Sequence, residues 1–344
     1  MQFLELAPEL VHQILLEAVL TRGVQRSLTL RLVCKRFSQD VQFALFESYL
    51  LDDHSTSGSL SSWHINRDRR ASTFWHSYLV YRVQYNSHSY PPHFRHIRRL
   101  VETICAETGD DVETTIKKLC WPILGRLADC VYSNLMILNF EADLLRAATY
   151  LNVIPVVKPL LQGGYPPRTG RDIFNSPMTL AAWVGNKDSL EYLQKMVFET
   201  QSISYLEDDP FSSIIGAATS GDIVMSTFDN TRFIDGPFVL EDSIAGRSLL
   251  RAQISTGDLE MYKHLGGFFP KPTNRPTAYH LMLHIRLGNL KIVKYILDTT
   301  GTFFGGAQSA SGAKSQDMID LLLEYGFDVQ KSEWLGDKPI SKEA

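Results

Sequence analysis

Leu281–Leu297, LMLHIRLGNLKIVKYIL, reads as two short helices joined by one tight turn. Apolar residues recur at helical spacing before the turn (Leu281, Leu283, Ile285) and after it (Leu290, Ile292, Val293, Ile296, Leu297). Gly288 and Asn289 stand between them. These two residue types enter positive φ at the lowest cost, as the end of one helix and the start of the next require. Neither helix is long enough to persist alone in water. Such a pair folds only by burying its apolar stripes against neighbouring pairs.

Those neighbours lie along the chain. The pattern small–small–x–x–Gly–polar, followed by apolar pairs, returns as AAWVGNKDSLEYL (Ala181–Leu193), AATSGDIVMSTF (Ala217–Phe228) and QISTGDLEMYKHL (Gln253–Leu265). A fainter copy runs AATYLNVIPVVKPLL (Ala147–Leu161), and a last one, QDMIDLLLEYGFDV (Gln316–Val329), keeps only its second helix. The turn residues are Asn152, Gly185, Gly221, Gly257, Gly288 and Lys314, with separations of 33, 36, 36, 31 and 26 residues. A two-helix repeat near 33 residues has the ankyrin period. SPMTLAAWVG (Ser176–Gly185) also resembles the TPLHLAAxxG signature of that family. Pro177 suits the first helical position, where its missing N–H costs nothing. Ala181 and Ala182 are small because stacked helices approach closely there. The stretch 142–330 therefore resembles an ankyrin-repeat solenoid of five to six degenerate repeats. The shortened last spacing implies a reduced cap, and the tail 331–344 is polar.

With 344 residues, 44% hydrophobic and 21% charged, the chain has a globular composition and room for two or three domains. A formal net charge of −4 gives no overall pull toward nucleic acid or acidic membranes. No apolar run reaches the roughly 18–20 residues of a membrane span. The N-terminus has no basic segment, and Glu5, Pro8 and Glu9 interrupt its apolar run, so a secretion signal is not expected. Cys34, Cys105, Cys120 and Cys130, spaced by 71, 15 and 10 residues, match no common zinc pattern and read as buried reduced thiols. The expected location is cytoplasmic, nuclear or both.

Residues 1–52 form a second unit of meaning. Pro8 starts a helix with the stripe Leu10, Val11, Ile14, Leu15 and Val19, and Glu9 sits favourably in its first turn. A following helical segment is expected to align Leu28, Leu32, Val33, Phe37, Val41, Leu45 and Phe46. A core of about 50 residues is marginal alone and is usually completed by a partner. Leu6, Pro8, Glu9, Leu10, Val11, Ile14 and Leu15, then Leu30, Val33, Cys34, Lys35 and Phe37, resemble the two halves of the F-box. Phe37 stands where many F-boxes have Trp. That resemblance implies docking to a Skp-type adaptor of a cullin ligase through Leu6, Pro8, Leu10, Val11, Ile14, Leu15, Val33, Cys34 and Phe37.

Between these parts, Asp53–Asn66 reads as a Ser-rich loop, and 53–141 as that loop plus a helical connector. Thr73–Tyr85 is a strongly aromatic helix, followed by helices over Phe94–Glu107 and Val112–Val131, the last with a kink expected at Pro122. The expected fold class is all-α: F-box-like helices, a helical middle region and an ankyrin-type solenoid.

No catalytic constellation stands out. His280 and His284 share one helix face at zinc-pair spacing but lack the Glu of HExxH, and packing against a neighbouring repeat explains them better. His93 and His96, among Arg95, Arg98 and Arg99, read as a cationic, solvated face. Gly301–Gly306 is no phosphate loop, and Asp110-Asp111 and Asp208-Asp209 suit helix starts. Neither enzyme activity nor a metal or other cofactor is expected.

The resemblance to ankyrin proteins implies that the residues just before each turn line a concave binding face. These are Trp183/Val184, Thr219/Ser220, Ser255/Thr256 and Arg286/Leu287, with Tyr150 by the first copy. Trp183 and Arg286 are the expected anchors for a protein target, Trp and Arg being enriched at hot spots. The combined layout resembles fungal-type F-box proteins with ankyrin repeats, which implies a substrate receptor of a ubiquitin ligase. The alternative is a free-standing scaffold, or an accessory protein of a fungal secondary-metabolite pathway, whose N-terminal helices only cap the array. A partner on nucleic acid or membrane is not expected. The two readings differ on the stripe Leu10/Ile14/Leu15 and Val33/Phe37, which faces solvent in the first and is buried against 73–85 in the second.

Overall fold

The computed structural model describes residues 6–52, 69–85, 92–130, 138–165, 173–200, 212–223, 244–269, 274–300 and 315–327. The regular structure among them is helical, with no strand. The chain divides into two compact units, Met1–Pro177 and Met178–Ala344.

In the first unit, α1 (Pro8–Leu30) is two helices merged across Gly23, whose φ of 71° and ψ of 174° are accessible essentially to glycine alone. After Leu30 the chain tightens: the N–H groups of Arg31, Leu32 and Val33 each donate to a carbonyl three residues back. A new helix, α2 (Lys35–Glu47), then starts at Cys34, whose thiol accepts from the Phe37 N–H at 3.5 Å. This restart resets the helical phase. Leu28, Leu32 and Val33 therefore do not share a buried stripe with Val41, Leu45 and Phe46 as the unbroken pattern predicted. They face solvent, while the last three are buried. Cys34, expected to be buried, is exposed for the same reason, whereas Cys105 and Cys120 are buried. The Cys130 side chain lies outside the described residues.

The aromatic helix α3 (Arg69–Tyr85) is the centre of this unit. It packs on α2, on α4 (His93–Thr108) and on α5 (Val112–Cys130), which continues as one helix through Pro122. Phe46 lies among the rings of Phe74, Tyr78 and Tyr81, with centroids 5.3–5.6 Å away. The stretch read as a connector thus completes the N-terminal core. The pair α6 (Phe140–Tyr150) and α7 (Ile154–Gln162) belongs to the same unit, since α6 packs on α4. Asn139 caps α6 by accepting from the Ala142 N–H.

The second unit contains α8 (Pro177–Trp183), α9 (Lys187–Thr200), α10 (Ser212–Ser220), α11 (Ile244–Ser255), α12 (Leu259–Gly266), α13 (Asn274–Leu287), α14 (Leu290–Thr300) and α15 (Gln316–Glu324). Here α10 packs on α11 and α11 on α13, while α12 packs on α14 and α14 on α15. The first helices form one row and the second helices another. Close approach in the first row is literal: a Cβ added to Gly216 would lie 2.1 Å from the Thr179 carbonyl oxygen. Ala181, Ala182, Ala217 and Ala218 are buried beside it, as their small size led us to expect.

The repeated turn has a repeated geometry. At Gly185, Gly221 and Gly288, all with φ between 72° and 76°, the glycine N–H donates to the carbonyl three residues back. The next N–H reaches five residues back, to Ala181, Ala217 and His284 respectively. This double closure satisfies carbonyls that a helix end otherwise leaves open. The same closure ends α6 at Asn152 (φ 59°). Gly257 departs: it has no left-handed φ, and the Thr256 hydroxyl accepts from the Asp258 N–H instead. The polar residue after each turn has a purpose that the pattern alone did not explain. A Cβ at Gly185 would meet the Asp222 carboxylate, at Gly221 the Asp258 side chain, and at Gly257 the Asn289 side chain, all at 3.4–3.7 Å. Asn289 also donates to the Thr256 carbonyl, at 3.5 Å. Each turn therefore rests on the polar residue of the next. Lys314, Asp208-Asp209, Gly301–Gly306, the loop Asp53–Asn66, residues 224–243 and the tail 331–344 lie outside the described residues.

Candidate binding surfaces

The N-terminal stripe is split by burial. Val11 and Leu15 are 1% and 3% exposed and sit in the core with Val19, Val41 and Leu45. Leu6 and Phe37 pack partly against that core. Leu10 and Ile14, one helical turn apart, are 51% and 46% exposed, and Pro8 and Cys34 are also exposed. Leu32 and Val33, in the turn before α2, are 84% and 64% exposed. Of the nine residues expected at an adaptor face, Val11 and Leu15 thus support the surface from beneath, because they lie on the side of α1 that packs with Val41, Ala44 and Leu45 of α2. The outer set presents aliphatic side chains to water with nothing covering them among the described residues.

The residues before the turns fare differently from one another. Val184, Thr219, Ser220, Ser255 and Arg286 are exposed, while Trp183, Leu287 and Tyr150 are half-buried. The hydroxyls of Thr219, Ser220 and Ser255 donate to carbonyls of their own helices, those of Ile215, Ala217 and Arg251. Their side-chain donors are therefore already engaged. Thr256, expected at the surface, is fully buried, and its hydroxyl closes the turn by accepting from the Asp258 N–H. Trp183 ends α8, and Arg286 lies near the end of α13, three helices further along the row. At the usual 8–10 Å between packed helices they stand about 25–30 Å apart.

Two buried charge clusters in the first unit went unread in the sequence. Arg82, fully buried, pairs with Asp52, which also accepts from the Tyr78 hydroxyl. The rings of Tyr49 (4.4 Å) and Phe94 (4.5 Å) cover the guanidinium. Asp143, also fully buried, pairs with Arg146 at 2.6 Å and His96 at 2.8 Å. His93 and His96 are thus buried, not on a solvated cationic face, because α6 lies over α4. Burial, with Arg82 and His96 nearby, lowers the His93 pKa to about 4. The spacings Tyr78/Arg82 and Asp143/Arg146 were the available signals, being pairs that share one helix face. Every charged group in both clusters is committed to another, and both lie in the interior, so they hold helices together.

His280 and His284 do pack, as expected. The His280 Nδ1 lies 3.2 Å from the Tyr262 hydroxyl, and burial lowers its pKa to about 4. The His284 Nδ1 accepts from the Asn289 amide at 3.0 Å. No cluster of three or more His, Cys, Asp or Glu placed to hold a metal occurs among the described residues. No helix among them is long and apolar enough to cross a membrane. Comparison with protein-family models, with curated proteins and with solved structures found no match.

Proposed function

We propose that this chain is a non-catalytic substrate receptor of a Skp–cullin–F-box ubiquitin ligase. Its N-terminal helices dock on a Skp-type adaptor, and its C-terminal helix pairs form an ankyrin-type array that selects a protein target. The observation that carries the docking half is the exposure of Leu10 and Ile14 on α1, whose opposite face is packed, and of Leu32 and Val33 in the turn before α2. Exposed aliphatic residues grouped on one small module mark an interaction site rather than ordinary surface. The turn closures at Gly185, Gly221 and Gly288 and the stacking of successive turns support the array. Such a receptor makes and breaks no bonds. It raises the effective concentration of the target beside the charged conjugating enzyme, in the cytoplasm or nucleus. Trp183 and Arg286 stand too far apart for one compact side-chain cluster to reach both. The target segment they anchor is an extended or helical one.

The test is capture of the full chain by a purified Skp-type adaptor. Ile14→Asp/Val33→Asp is the control, since both positions are exposed and the core beneath them stays intact. Capture that the double variant abolishes, with its helical circular dichroism unchanged, supports the reading. A folded wild-type chain that is never captured overturns it. The free-standing scaffold then stands, favoured by the packing of Phe46 with the aromatic side chains of α3. For the array, Trp183→Ala and Arg286→Ala should each weaken target binding about tenfold. Losses below twofold for both would remove them as anchors.

A further inference from the structure

The exposed aliphatic turn lies in a cation-rich stretch of the chain. From Ala18 to Gln39 there is no Asp or Glu, yet the segment holds Arg22, Arg26, Arg31, Lys35 and Arg36, within a chain of net charge −4. Arg31 is committed internally: its Nη2 donates to Gln42 at 3.0 Å, and its guanidinium lies over the Phe74 ring. Arg36 lies 3.6 Å from Asp40. Arg22, Arg26 and Lys35 are exposed and make no ion pair among the described residues. Between them stand Leu28, Leu32 and Val33, all exposed.

We infer that this knuckle, Arg22–Arg36, docks a protein surface in which carboxylates surround an apolar cleft, so the adaptor face it takes is acidic. The inference rests on the adaptor reading above and specifies the chemistry of that partner. Leu32 and Val33 supply the area removed from water, and the exposed cations Arg22, Arg26 and Lys35 steer the approach. A bilayer with anionic headgroups fits the surface less well. The exposed aliphatics at the start of α1, Leu10 and Ile14, are flanked in sequence by exposed Glu9 and Glu17, which such headgroups repel. A protein can match both signs.

Cations at the rim of an interface act mainly on association, and buried apolar contacts mainly on dissociation. The experiment measures association and dissociation rates of the full chain with a purified Skp-type adaptor at about 0.05 and 0.5 M NaCl. It compares wild type, Arg22→Glu/Arg26→Glu/Lys35→Glu and Leu32→Ala/Val33→Ala. The expected result is an association rate about tenfold lower for the charge reversal and at high salt, with dissociation within about threefold. The alanine pair should instead raise dissociation about tenfold or more. Binding that ignores both salt and charge reversal overturns the acidic-partner inference and leaves the adaptor reading intact. No binding by the folded wild type overturns both. Vesicles containing phosphatidylserine are the second probe: retention of the chain on them, lost on charge reversal, would replace the protein partner with a membrane.

Discussion

The two units are held together by different means. The first relies on individual long-range partnerships: Phe46 among three rings of α3, Arg82 with Asp52, Asp143 with Arg146 and His96. Each is specified once among the described residues. The second relies on one local device used repeatedly, a turn closed by two backbone bonds with a polar residue leaning on the turn before it. A break in the first unit should therefore be severe and confined to one partnership. A break in the second should be milder at a turn and worst where backbones touch.

The largest effect is expected in the first unit. Asp143→Ala leaves Arg146 and His96 buried without their carboxylate and should cost about 3–5 kcal/mol, read as a shift in the denaturant midpoint. In the second unit, Gly216→Ala places a methyl against the Thr179 carbonyl oxygen and should cost about 1–3 kcal/mol or more. A loss below 0.5 kcal/mol there would mean the first-row helices are not in backbone contact. Acid tests both units at once. His93 and His280 have folded pKa values of about 4, below an unfolded value near 6.5, so the unfolded chain takes up the proton first. The stability linked to each is fully present above pH 6.5 and is lost as pH falls toward 4, by about 2–3 kcal/mol per histidine. Denaturant midpoints across that window check it, with His280→Phe flattening the slope. The smallest effect belongs to a single turn: Asp258→Ala removes the cap accepted from the Met261 N–H and should cost about 1 kcal/mol. If it instead equals the loss at Asp143, the turns are coupled into one network and the contrast fails.

What was legible was what is local. Helix positions followed from apolar spacing, and the recurrence of Gly–polar at the helix ends placed left-handed turns at Gly185, Gly221 and Gly288. The chemistry of a helix end is decided within six residues. Gly257 shows the limit: the same Gly–Asp pair as at Gly221 forms a different turn, and here the Thr256 hydroxyl accepts from the Asp258 N–H. The candidate site was half legible. The stripe from Leu10 to Leu15 was evident, but which of its members face inward depends on where α2 and α3 lie. At Cys34 a four-residue turn reset the phase, and periodicity carried across it put Leu28, Leu32 and Val33 on the wrong side.

By itself, then, the sequence determined the helical class and the left-handed turns at Gly185, Gly221 and Gly288, because these rest on spacing and backbone closure within a few residues. The tertiary structure alone decided that Arg82 and Asp143 are interior, that His93 and His96 are buried, that Thr256 is no surface residue and that Leu32 and Val33 stand out in water. Each of those outcomes depends on a partner distant in the chain or on its absence, or, at Thr256, on a hydroxyl turned inward to close its own turn. Burial is a property of the neighbours a side chain acquires, and no window of sequence contains them.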